Sequence, residues 1–191
     1  MYYIQPRQQE ETHCEHPTGA YEIDATHSEL GFTVRHTGIA KVRGRFTGVT
    51  GSFVIAEPFA SSTVNVEIDA ASVSTGNEQR DGHLTSPDFW DAATKPTWTF
   101  ASTSVEGEGE EFTINGDLTI NGVTKPVALA VEYNGAANGP DGVARVGFSA
   151  TTEISRKDYG LTWNVALEGG GLLVGDNVKI SIEIEGIQQQ A

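Results

Sequence analysis

Thr75 to Asp91, "TGNEQRDGHLTSPDFWD", packs Arg80, Asp81, His83, Asp88 and Asp91 into one short island. A histidine among carboxylates is the raw material of general acid–base catalysis, which needs a tuned group within about 3 Å of the proton it moves. Asp81 and His83 form the natural pair for an enzyme acting on a hydrophobic small molecule, and His27 added to them can be drawn as a metal site. The competing structural reading pairs Arg80 and Asp81 with neighbouring strands and sets His83 on a backbone carbonyl, because buried charges are costly unless paired. No His-Glu-x-x-His, Gly-x-Ser-x-Gly, phosphate-cradling glycine loop or placed cysteine nucleophile accompanies the island. No catalytic residue, metal ligand or cofactor is assigned on these grounds. His13, Cys14 and His16 in "HCEH" make a second cluster, but three ligands on a polar leader fall short of the four that a closed structural site takes.

The elements that must position the island alternate with period two. In "SELGFTVRH" Leu30, Phe32 and Val34 point one way and Glu29, Thr33 and Arg35 the other, the pattern of a half-buried strand. "AKVRGRFTG" repeats it with Val42 and Phe46, and the two runs predict a hairpin through "TGI". "SSTVNVEIDA", "PTWTFAST", "EEFTINGDLTING", "KPVALAVEYNG", "ARVGFSATTEIS" and "NVKISIEIEG" read as further strands, with Asn121-Gly122 as a tight hairpin turn. Amphipathic strands joined by short turns predict an all-β antiparallel sheet closed into a barrel or split into a sandwich. A barrel of about eight such strands is either filled by side chains or wide enough for one slender ligand. Glycines on the inward phase, Gly44, Gly116 and Gly48, lean toward the open form. Within the island, Thr75 and Glu78 fit a capping box, so a short helix is expected before Ser86-Pro87 breaks it. Phe89 and Trp90 then supply an apolar payload, as a lid or a plug across a barrel end.

Composition narrows the partners. The 191 residues suit one domain, a leader over 1–20 followed by a barrel over 21–187. Lys+Arg is 12 against Asp+Glu 26, and the net charge of −14 argues against nucleic acid as a partner and against anionic lipid headgroups. Cys14 is the single cysteine, so no disulfide forms within the chain. Neither an N-terminal apolar stretch of the roughly 7–15 residues that a secretory signal needs nor an uncharged run near 18 residues long enough to span a membrane is present. The expected compartment is the cytoplasm, or the periplasm or exterior for a chain already trimmed of its signal.

Six segments in order, "DATHSELGFTVRH", "KVRGRF", "STGNEQRDGHLTSPDFWDAATKPTWTF", "GDLTINGVTKPV", "SRKDYGLTWN" and "GDNVKISIEIE", resemble the YceI-like family, a lipocalin-like group of polyisoprenoid-binding proteins. The resemblance runs from about Tyr21 to Glu185. It implies an elongated eight-stranded antiparallel barrel whose hydrophobic tunnel holds a long isoprenoid or other amphiphilic chain, such as a quinone tail, without covalent chemistry. Trp90 stands where a Phe is commoner in the family. The expected function is binding and sequestration or transport of such a lipid in the lumen. Expected lining residues are Leu30, Phe32, Val34, Phe46, Phe89, Trp90, Phe100, Leu118, Leu129, Phe148 and Trp163, with His36 facing inward to bond a headgroup. "SRKDYGLTWN" offers either a headgroup-recognising rim at Lys157 and Asp158 or a turn held by the Asp158 side chain. A homodimer through a barrel edge or the aromatic lid is a further expectation. So is a barrel with a filled interior, whose surface serves in protein association.

Overall fold

Alternation of apolar and polar residues gives each strand one face to bury, and antiparallel pairing satisfies the backbone along its length. The computed structural model describes residues 16–190; residues 1–15 and 191 lie outside it, and with them His13, Cys14 and most of the expected leader. Eleven strand segments are present: β1 (Gly19–Ile23), β2 (Glu29–His36), β3 (Ala40–Phe46), β4 (Val49–Ile55), β5 (Thr63–Asp69), β6 (Val73–Ser74), β7 (Thr97–Glu106), β8 (Glu111–Ile120), β9 (Val123–Asn138), β10 (Ala144–Ser155) and β11 (Val174–Gln188). One helix, α1 (Glu78–Leu84), lies between β6 and β7.

Eleven segments make eight strands because three of the strands are interrupted. β1 and β2 lie in succession along β11, with Tyr21 opposite Gln188 and Leu30 opposite Ile182. β3 and β4 lie in succession along that composite strand, since β2 pairs with β3 and β1 with β4. β5 and β6 do the same beside β4 and β3. From β5 the order runs through β7, β8, β9 and β10 to β11, and the β1–β11 pairing closes the ring. The result is a closed eight-stranded antiparallel barrel, in which β6 pairs with β3 alone and β3 meets β6 only at Arg45 and Phe46. Two of the interruptions fall at Asp24–Ser28 and at Thr47–Gly48.

The predicted hairpin through Thr37-Gly38-Ile39 joins β2 to β3, with His36 opposite Ala40. Asn121 and Gly122 both take positive φ, 53° and 77°, as a two-residue turn between β8 and β9 requires. β1, β4 and β6 are strands that the sequence pattern did not expose. Trp163, one of the expected lining residues, lies on no strand but in the irregular stretch after the 3-10 turn Arg156–Tyr159.

One end of the barrel, the lid end, gathers α1, the β2–β3 hairpin and the connection from β10 to β11. The opposite end gathers the β4–β5 and β7–β8 connections. Buried apolar residues concentrate toward both: Phe46, Trp90, Trp98, Leu118 and Ile120 in the lid half, Tyr21, Phe53 and Val146 with Val105, Phe112 and Val131 in the other.

Candidate functional site

Between those clusters the inward side chains are only half-buried. Val64, Val66, Ile114, Leu129, Ile180 and Ile182 all sit on the inner face, yet none reaches the exclusion from solvent that a packed core imposes. They border a long internal cavity of about 260 Å³. Its wall is almost wholly aliphatic and aromatic, and among the described residues Arg156 is the one charged residue that borders it. A space so short of polar groups holds water poorly and apolar chains well.

Ten of the twelve expected lining residues border this lumen. Leu30, Phe32, Val34, Phe46 and Phe100 do so from β2, β3 and β7, and Leu118, Leu129 and Phe148 from β8, β9 and β10. Phe89 and Trp90 reach it from the segment after α1. His36 and Trp163 do not. His36 shares the phase of Phe32 and Val34, but β2 passes the barrel mouth before reaching it and its side chain is exposed. The indole of Trp163 packs on the outside of the rim, 4.8 Å from the His83 ring and 5.1 Å from that of Phe89. Alternation on β11 also turns Val178, Ile180, Ile182 and Ile184 to the lumen, four residues that belong with the lining.

The inward glycines have a different purpose from the one expected. A Cβ on Gly44 would lie 2.3 Å from Cζ of Phe32, and one on Gly116 would lie 2.4 Å from Cζ of Phe100. These glycines let phenyl rings lie flat against the wall, and neither they nor Gly48 border the cavity. The open space comes from the width of the barrel.

The island closes the lid end and is bonded chiefly to itself. Asn77, not Thr75, caps α1, its side chain accepting from the Arg80 backbone N–H at 2.9 Å. Thr75 instead links the two charges beside it: its N–H and hydroxyl donate to Asp81 at 3.0 and 2.6 Å, and it accepts from Arg80 Nε at 2.7 Å. The expected pairing of Arg80 and Asp81 with neighbouring strands is replaced by this local bridge. His83 Nε2 meets Asp88 Oδ2 at 2.8 Å rather than a backbone carbonyl. Asp81 and His83 therefore have separate partners, and neither borders the lumen. Trp90 drives into the lid-half core, its ring 5.2 Å from that of Trp98 and 5.8 Å from that of Phe46, with Nε1–H donating to the Ala70 carbonyl at 3.0 Å. An amphipathic ring with its one donor satisfied makes a stable plug.

His27 lies far from the island in the fold's wiring. It bonds Asp24 at 2.8 Å in the β1–β2 break, a contact that holds the Asp24 carboxyl below its usual pKa and raises that of His27. Glu185 is close by but pairs with Arg145 at 3.1 Å. His16 stacks on Phe59 at 4.2 Å at the end away from the lid, and burial lowers its pKa.

Arg156 is the polar residue that sequence reasoning missed. It is 4% exposed, and its guanidinium donates to the carbonyls of Leu161, Trp163 and Gly175 at 2.6, 2.9 and 2.9 Å. Asp176 lies 3.6 Å away and also binds Lys157 at 2.7 Å, so the turn is anchored through Asp176 rather than through Asp158. Burial lowers the Arg156 pKa while Asp176 opposes the shift. The group remains a cation, since arginine does not deprotonate in proteins.

Beside it Tyr159 is 2% exposed, and its hydroxyl meets no hydrogen-bond partner among the described residues. Burial, helped by the Asp158 charge, pushes its pKa up to about 12. An unfolded tyrosine ionises near 10, so the stability held by the neutral form is complete below that pH and is lost as pH rises toward 12. Tyr159→Phe is expected to flatten this alkaline loss in urea titrations and to leave stability at neutral pH unchanged or about 1 kcal/mol higher, because the unmet hydroxyl is gone. A variant as sensitive to alkali as the parent would refute the assignment.

A family model described as the YceI-like domain matches residues 21–186. The chain belongs to the YceI-like family. It is 39% identical over 173 residues to protein YceI of Escherichia coli O157:H7, covering 89% of this chain and 87% of that one. BcnA of Burkholderia cenocepacia shares the fold, with a TM-score of 0.73 at 20% identity over 85% of this chain and 98% of that chain. A polyisoprenoid binding domain from Saccharophagus degradans shares it too, with a TM-score of 0.69 at 18% identity over 88% and 98% of the two chains.

Proposed function

We propose that this barrel binds one long, slender isoprenoid, quinone-like or other amphiphilic lipid non-covalently in its lumen, and thereby sequesters or carries it. The observation that carries this reading is the apolar cavity itself: inward side chains at mid-height are half-exposed to a space with, among the described residues, a single charged one on its border. A hydrocarbon chain there gains about 25 cal/mol for each Å² removed from water. Polar contacts are needed only at an end. The fold neighbour described as a polyisoprenoid binding domain supports the same ligand class. The role is non-catalytic and needs no cofactor, and the pairing of His83 with Asp88 braces the plug.

Organic extraction of the purified protein followed by mass spectrometry is the test. A stoichiometric co-purifying lipid, or saturable uptake of an added polyprenol or quinone, is the expected result. A clean extract together with failure to take up either compound would remove the proposal.

A further inference from the structure

The acidic balance of the chain conceals a local reversal. No Asp or Glu occurs from Leu30 to Ala56, in a sequence that holds 26 of them. The same stretch contributes Arg35, Lys41, Arg43 and Arg45, all exposed on the outer face of the β2–β3 hairpin. Arg35 stands directly opposite Lys41, a like-charge cross-strand pair that costs stability in isolation. Lys179 on β11 stands opposite Thr33 beside this strip, with Glu153 of β10 opposite it on the other side. Only Arg45 has an acidic partner within the hairpin, Glu29 at 3.7 Å.

The hairpin tip is apolar. Ile39 is 85% exposed, and the adjoining loop presents Val165 and Leu172 at 45% and 44%. The two tips are tied together, since the Thr37 N–H donates to the Leu173 carbonyl at 2.8 Å and the Leu173 N–H to that of Val165 at 2.9 Å. This patch adjoins the lumen, because His36 pairs with Val174 and both Val34 and Val174 border the cavity.

An apolar hairpin tip beside a basic strip, at the mouth of an apolar cavity, has the chemistry of a membrane-surface contact, with Glu168 the acidic group of the adjoining loop. We propose that the β2–β3 hairpin and the Val165–Leu172 loop dock on an anionic bilayer, with Ile39, Val165 and Leu172 in the interface and Arg35, Lys41 and Arg43 on headgroups. The inference rests on the lipid-binding reading for its purpose, which is to set the lumen mouth against the membrane that holds the ligand. The net charge of −14 repels the same surface. Docking is accordingly reversible and orientation-specific, with the basic face inward.

Flotation of the intact protein with vesicles of phosphatidylcholine alone, or mixed with phosphatidylglycerol, tests this at low and physiological salt. Recovery with the mixed vesicles is expected, absent with neutral ones and reduced by salt, which screens exposed charges beyond about 10 Å. The Arg35→Gln/Lys41→Gln double variant should bind roughly fivefold more weakly for each cation removed, and Ile39→Ser should also lose binding. Both keep the barrel, and removal of the opposed charges should leave the unfolding temperature unchanged or higher. Equal recovery with neutral and mixed vesicles, a double variant that binds like the parent, or capture by an acidic protein without any vesicle binding would each overturn the proposal. A lipid found by extraction together with absent vesicle binding sinks this surface alone, whereas an empty lumen with vesicle binding leaves it standing.

Discussion

Arg156→Ala is expected to lower folding stability by about 3–5 kcal/mol, the range for removing one side of a buried charged network. The carbonyls of Leu161, Trp163 and Gly175 would each lose a donor from the side chain, and at least that of Leu161 lies where water has little access. Val174 is spared, because Asn164 Nδ2 still donates to its carbonyl at 2.7 Å. Asp176 likewise keeps Lys157 at 2.7 Å. Loss of the guanidinium thus frees the loop from Leu161 to Val174, the loop that frames the lumen mouth. Arg156→Lys should recover only part of the loss, since an ammonium cannot reproduce the planar fork that reaches three carbonyls at once. Urea unfolding of the three proteins measures both effects. A loss below about 1 kcal/mol in Arg156→Ala would mean that water replaces the guanidinium without penalty.

The uneven legibility of the sequence follows from what alternation encodes. Period two in "NVKISIEIEG" or "SELGFTVRH" tells which side chains share a face, and eight of the ten lining residues follow from it, Phe89 and Trp90 coming from the island instead. It does not tell the distance across the barrel, so filled and hollow interiors share one pattern. β1 and β4 went unread because β1 is five residues long and β4 carries Gly51 in mid-strand, which blurs its alternation. Arg156 was hidden by its neighbours: in "SRKDYG" an arginine beside a lysine and an aspartate reads as solvated surface, and only the return of the chain through Leu161 and Trp163 buries it. His36 fails in the opposite way, because a correct phase continues past the point where the barrel ends. Separations of 138 residues in sequence join its strand to β11 across the Val174 pairing, and no local pattern reports that.

Filling the lumen separates the hollow from its walls. Val66 lies at mid-height on β5, opposite Gly51 on one side and Phe100 on the other, and it is half-buried because it faces the cavity. Val66→Trp places an indole in the path of the ligand. Displacing roughly 100 Å² of ligand surface removes about 2.5 kcal/mol of binding, so the co-purified lipid should fall by nearly two factors of ten. The same ring in an empty space gains apolar contacts, and stability of the ligand-free protein should hold or rise by about 0.5–2 kcal/mol as in cavity-filling substitutions. In a solid interior it would instead force neighbouring rotamers and cost about 1–3 kcal/mol. Ile182→Trp, on the β11 wall of the same cavity, should behave alike. Lost lipid with kept stability is the signature of a working lumen. Kept lipid with kept stability would place the ligand elsewhere, and lost stability would mean that the side chains already meet across the axis.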